Sequence, residues 1–387
     1  MTGVALPKGA TGERRSMLRL LSIVVLVGAA VLSTIQGFRN ALVDSQDMQW
    51  STARLFVHGH DPYNVWLQGN HGAKIILSQA PNYDHLLYVI MAPLGAVPWH
   101  SARVLWAVLN VCLGLGTAVM LCRRSALEWR TTIILTSIFA MSTPFRNSVG
   151  NGQQSLLVFA AIAVAVCSVN QALAGSATAV ALVKYSFAPA LLILHAFRLR
   201  VRSIVLALLL TAAGVVAFAT ITDRFALGTL WEPLRVSRTS IPIGTGDLMS
   251  LLEASHVTPA GGVATEAVGL LLAVPLMLIS RSWTSQWSRD ADLSLVALVS
   301  LVSVYHLPYD FVTLFPVLLT GVKYRGKARW VLFASVAWFF FGLRGVLALH
   351  GNMQSPSLIL LNMLLLLVAY ATLVRPRATG CPRNKVA

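Results

Sequence analysis

What most constrains this chain is the recurrence, from residue 20 to residue 374, of continuous apolar runs of about 17 to 22 residues. Hydrocarbon offers no partner for backbone N–H and C=O groups, so a segment that crosses a bilayer must pair them internally, as a helix or within a closed barrel. Barrel strands are short and alternate apolar with polar residues, and these runs do neither. The expected fold is therefore all-α and polytopic. The composition agrees: 56% of residues are hydrophobic, 11% are charged, and the mean hydropathy is +0.70, outside the range of soluble globular domains.

The first run, 20–38, follows Arg14, Arg15 and Arg19 without a small-residue cleavage site, and reads as a retained signal-anchor. Further spans are expected at 103–121, 131–146, 154–170, 172–184, 187–197, 203–221, 263–280, 292–306, 309–321, 330–347 and 357–374, about twelve in all. Residues 1–19 then form a cytoplasmic segment, 20–374 the transmembrane domain, and 375–387 a basic cytoplasmic tail. The clusters RRSALEWR, RLRVR and VKYRGKAR fall on the same side as the tail. Alternation puts about 20 of the 30 Lys and Arg on that side, which is the positive-inside bias of a multi-pass plasma-membrane (inner-membrane) protein. The net charge of +16 is thus a topology signal, and nucleic acid is not an expected partner. The segment 85–98 is apolar but short and carries Pro93 and Pro98, so it is expected to lie against the outer leaflet without crossing. Four cysteines with no ligand spacing indicate neither a disulfide framework nor a metal site.

Polar chemistry collects on the opposite, outer side. Its long loops are 39–102, expected to carry juxtamembrane helices, and 222–262, with TPFRNSVGNGQQ (143–154) as a shorter polar loop. Eight of the nine histidines and about ten of the fourteen acids lie there. No phosphate-binding glycine loop faces the cytoplasm, so nucleotide use is not indicated, and no cofactor is expected. Asp44 and Asp47 follow the first span. Either is explained by solvation or capping, but an acid held at an interface can be raised towards the range of a general base. Lys184 ends a short span, where an ammonium must snorkel or meet an anion. Arg146, Asn151 and Gln153 lie in a polar loop feeding a helix N-terminus, which suits either a plain cap or an anion. His306 and Asp310 flank Pro308 at a break between spans, where packing explains them as well as function does. Arg235 and Arg238 read as loop cations, and Tyr63 as a sugar-stacking ring or part of the interfacial aromatic belt. Asp61, in GHDPYN, reads as a turn residue.

The run DMQWSTAR followed by GHDPY resembles the first outer loop of glycosyltransferase family 87, mannosyltransferase-like membrane enzymes of the C superfamily. APNYDHLLYVIMAPLGAVP, PFRNSVGNGQQSLLVF, ALVKYSFAPALLIL and YHLPYDFVTLFP are similar to later elements of that family, in the same order, over about residues 20 to 320. The resemblance implies an inverting transfer of a sugar, mannose above all, from a polyprenyl-phosphate donor to a lipid or glycan acceptor on the outer face. It implies Asp47 as the base, with Asp44 three residues earlier as the fallback. Lys184, His306, Arg146, Asn151, Gln153, Arg235, Arg238 and Tyr63 are the candidates for holding donor phosphate and sugar. The chain departs from the family at Trp50, where many members carry tyrosine, and at His60; the loop 222–262 has no matching motif. A secondary transporter or lipid-linked-sugar flippase is the alternative, and would place ionisable groups and repeat symmetry at the midplane. A non-catalytic envelope scaffold is a third reading.

Overall fold

The computed structural model describes residues 8–70, 74–76, 79–240, 246–254, 271–279, 288–342 and 354–374. Every regular element among them is helical. In chain order they are α1 (Lys8–Val43), α2 (Trp50–Val57), α3 (Pro62–Leu67), α4 (His85–Gly95), α5 (Trp99–Arg124), α6 (Trp129–Met141), α7 (Thr143–Gly150), α8 (Ser155–Cys167), α9 (Gln171–Leu182), α10 (Ala188–Phe197), α11 (Val201–Ile221), α12 (Ala226–Thr229), α13 (Glu232–Ser240), α14 (Leu248–Ala254), α15 (271–279), α16 (Arg289–Ser303), α17 (Phe315–Lys323), α18 (Ala328–Ala337) and α19 (Gln354–Val374). Short 3₁₀ turns, Tyr185–Phe187 and Pro308–Leu314, precede α10 and α17.

Four helices are long and apolar enough to cross a bilayer alone: Ser16–Val43 of α1, α5, α11 and Ser357–Val374 of α19. Their outward faces are apolar, as a lipid surface requires; Leu32, Leu105, Leu209 and Leu361 are each more than half exposed. The chain is a membrane protein by this measure, although far fewer helices span unaided than the twelve expected. The others are short, and several are broken. The expected span 131–146 stops at Ser142, which caps α7 by accepting from the Phe145 N–H at 3.3 Å while Pro144 starts the new helix. Thr143–Gly150 is thus a buried helix and not the flexible outer loop expected. It meets α8 at 116°, so the two form one bent span or a re-entrant turn. The expected span 309–321 likewise begins as a 3₁₀ turn.

The segment 39–102, expected on the outer side, is built, not slack. Asp61 caps α3 by accepting from the Tyr63 and Asn64 N–H groups at 2.9 and 3.1 Å, and Arg224 reaches its other oxygen at 3.2 Å. Asp84 caps α4 in the same way, through the Leu86 N–H at 3.0 Å. Helix α4 then wedges between α2 and α11 because glycines let backbones touch. A Cβ on Gly95 would stand 2.7 Å from the Ala53 carbonyl carbon, and one on Gly214 2.8 Å from Leu86 Cβ. At 11 residues α4 is too short to span, as expected for 85–98. The loop 222–262 holds α12, α13 and α14; residues 241–245 and 255–262 lie outside the described set.

Candidate active site

The site begins at the end of α1. Ser45 takes a left-handed conformation (φ 47°), its hydroxyl donating to the Ala41 carbonyl at 2.6 Å, and the chain turns sharply. Asp47 follows. Its backbone N–H donates to the Asn151 carbonyl at 2.9 Å, which docks the segment after α1 on the N-G-Q-Q joint between α7 and α8. That joint needs Gly152. Its φ of +69° favours glycine, and a Cβ there would stand 2.8 Å from Met48 Cβ. The Trp106 indole N–H, donating to the Gly152 carbonyl at 2.7 Å, ties the joint to α5.

The half-buried Asp47 carboxylate accepts hydrogen bonds from the side chains of Gln153 and Asn151. Burial raises its pKa above the ordinary carboxylate value. The hydrogen bond from Gln153, attraction to Lys184 and the hydrogen bond from Asn151 oppose the rise, and Asp44 adds to it. Gln153 can donate because its oxygen is spoken for: Oε1 accepts from the Tyr83 hydroxyl at 2.9 Å. Burial drives the Tyr83 phenol well above its usual value, with the charges of Asp47 and Asp310 adding to the effect, so it stays a proton donor. The Tyr83 carbonyl in turn accepts from the Tyr63 hydroxyl at 2.6 Å.

Across from Asp47, Lys184 stands at the joint between α9 and the following 3₁₀ turn. Its neighbour is pinned to the segment 39–102 by the Asp84 N–H, donating to the Val183 carbonyl at 3.1 Å. The ammonium pairs with Asp310, lies 3.4 Å from Ser155 Oγ, and sits 5.1 Å from the centre of the Tyr309 ring. Asn82, Tyr83, Lys184, Tyr185, Ser186, Tyr305, Leu307, Tyr309 and Asp310 line a small cleft of about 40 Å³. His306 is buried beside it, Nδ1 at 3.3 Å from the Val304 carbonyl and 3.9 Å from Asp247 Oδ2. Helix α13 borders the site, its Ser237 accepting from the Tyr185 hydroxyl at 2.7 Å.

The fold thus gathers Asp47, Asn151, Gln153, Lys184 and His306 from four separate stretches of sequence. Asp44 lies close enough to act on Asp47 through its charge. Three other candidates sit differently. Tyr63 is fully buried, ringed by His85, Tyr88 and Phe218, and serves as a prop under Tyr83. Arg146 is half-buried on α7 where that helix crosses Gly37 of α1. Arg235 is exposed on α13; Arg238 belongs to the same helix, its side chain outside the described set. Asp310, left open in the sequence between packing and function, belongs to the site, and so do Tyr83, Ser155, Asp247, Tyr305 and Tyr309, which were not named as candidates. The spacing Y-x-x-x-Y-D around Pro308 was the available signal for three of them. Among the described residues no cluster of His, Cys, Asp and Glu is arranged to hold a metal ion.

A carboxylate with a raised pKa within electrostatic reach of a fixed ammonium is an arrangement that can accept a proton at one group and face an anion at the other. Comparison with known families gives one match: residues 83–308, more than half of the chain, fit the model of glycosyltransferase family 87. The matched interval opens at Tyr83 and closes at Pro308, so it contains Lys184 and His306 and leaves out Asp47 and Asp310. No curated protein and no solved structure matches the chain.

Proposed function

Because the chain belongs to glycosyltransferase family 87, and is therefore a membrane glycosyltransferase, we propose that it transfers mannose from a polyprenyl-phosphate donor to a lipid or glycan acceptor on the outer face of the plasma membrane, with inversion. Asp47 takes the proton of the acceptor hydroxyl as that oxygen attacks the anomeric carbon. The bond from that carbon to the phosphate oxygen breaks on the opposite face, and polyprenyl phosphate departs with the electron pair. Lys184 faces the departing phosphate, the tyrosines of the cleft meet the sugar, and the lipid tail lies between helices in the outer leaflet. The reaction is a single displacement, so one base and one anion site suffice.

What supports this reading above all is that the half-buried Asp47 feels the charge of Lys184, which lines the cleft, and is joined through Gln153 to Tyr83, which lines it too. The positive-inside bias supports the sidedness, since it puts Asp47, Tyr83 and His306 outside with both termini in the cytoplasm. Incubating the purified protein with radiolabelled polyprenyl-phosphate mannose and a membrane lipid extract tests the whole proposal. A labelled glycolipid or glycan is expected. Asp47→Asn should lower its formation by at least about 100-fold, the usual scale of a positioned general base. Wild-type activity in that variant would remove Asp47 from the role.

A further inference from the structure

Asp310 is held by three donors and has no opening to solvent. Oδ1 accepts from the Ser155 hydroxyl at 2.6 Å and from the Lys184 ammonium; Oδ2 accepts from the Leu307 N–H at 3.0 Å. Two of these donors, a hydroxyl at the first turn of α8 and a backbone amide, hold the carboxylate in place whether or not the lysine is there. Helix α8 also points its positive end at it. A buried ion pair is a poor way to stabilise a fold, since desolvation offsets most of the attraction and apolar residues of like volume do as well. This one lies against the cleft, and its lysine keeps an exposed edge, with 13% of the side chain accessible.

The ammonium has three protons. One goes to Asp310, a second points towards Ser155 Oγ at 3.4 Å, and the third is left for the cleft that Lys184 lines. The Tyr309 ring beneath the ammonium restricts it further. We infer that Asp310 is a positioning residue: it does not meet substrate, but fixes the Lys184 ammonium so that its remaining proton is aimed at the phosphate of the lipid donor. Ser155 and the Leu307 amide are the parts that keep Asp310 rigid for that task. This rests on the reading that Lys184 faces the donor phosphate.

The test measures binding of undecaprenyl phosphate, and of undecaprenol as a control lacking the charge, to the full-length protein in nanodiscs. The probe carries no sugar, so the identity of the transferred sugar does not enter. Lys184→Met should weaken phosphate binding on the order of tenfold, the size of one charge-assisted hydrogen bond, and leave the alcohol unchanged. Asp310→Asn should produce a similar, phosphate-selective loss. In the Lys184→Met background it should add nothing, because it acts through the lysine. Ser155→Ala keeps both charges and the fold, and should give a smaller loss of the same selectivity. Phosphate binding unchanged in both Asp310→Asn and Ser155→Ala, equal losses for phosphate and alcohol, or a full additional loss in the double variant would each overturn the positioning role. Unchanged phosphate selectivity in Lys184→Met would instead overturn the assignment of the lysine.

Discussion

At the scale of single residues, the proposed reaction depends on how far a carboxyl can be raised without ceasing to be a base. Gln153 sets that limit. Its amide stabilises the ionised form of Asp47, so Gln153→Leu should raise the Asp47 pKa further and move the acid limb of the kcat/KM profile to higher pH. A pH–rate profile checks this, and an unmoved limb counts against Asp47 as the group observed. The same shift bears on stability. A folded-state pKa above the unfolded value means that Asp47 favours the fold at low pH, and that this contribution is lost as pH rises through the folded value. Asp47→Asn should therefore melt at the same or a higher temperature than the native protein at neutral pH while losing activity. A thermal melt beside the activity assay separates a damaged fold from a missing base. Much of this was legible in the sequence: Asp47, Lys184, Asn151, Gln153 and His306 stood in short polar motifs beside apolar runs. Asp310 was visible only as a residue that packing explained as well as function did, and Tyr83 was not legible as a site residue, because their roles depend on partners 126 and 70 residues away, at Lys184 and Gln153.

Among the elements, α4 shows what positions the segment 39–102. It is held by close glycine contacts on two sides and carries Tyr83 and Asp84 at its leading end. Gly95→Val should push α4 away from α2, costing about 1–3 kcal/mol through overpacking. Because Tyr83 would move with it, transfer should fall beyond what the lost stability explains. Melting temperature and specific activity of the folded fraction, measured together, check both halves. The pattern of apolar length and proline placement matched the short helix formed by His85–Gly95. It was not enough for Thr143–Gly150, whose polar letters, TPFRNSVG, suggested a loop. There Ser142 and Pro144 start a helix, and the side chains that looked solvent-bound are largely buried where it packs on α1 and the turn at Pro308. Polarity alone does not distinguish a loop from a helix whose polar groups have partners inside the bundle.

For the whole molecule, the two ends of the bundle are organised differently. Far from the cleft, Ser125 Oγ donates to Asp290 at 2.9 Å, Lys323 pairs with the same carboxylate, and Arg289 donates to the Cys167 carbonyl, tying α5, α8, α16 and α17 together. The proposed topology puts this end in the cytoplasm. In a variant stripped of native cysteines, Arg235→Cys should react with a membrane-impermeant maleimide on intact cells and Lys327→Cys only after lysis, both positions being exposed. The reverse pattern would turn the molecule over and move the chemistry inside.

The N-G-Q-Q joint also bears on how such a chain can change over evolutionary time. One extra residue between Gly152 and Gln153 would rotate whatever follows by about 100° as a helix counts it, and so part the relay from Tyr83 through Gln153 to Asp47. Insertions in 222–262 would meet no such register. Diversification of acceptor preference among descendants of this chain would accordingly accumulate in that second loop, while the joint stays fixed in length.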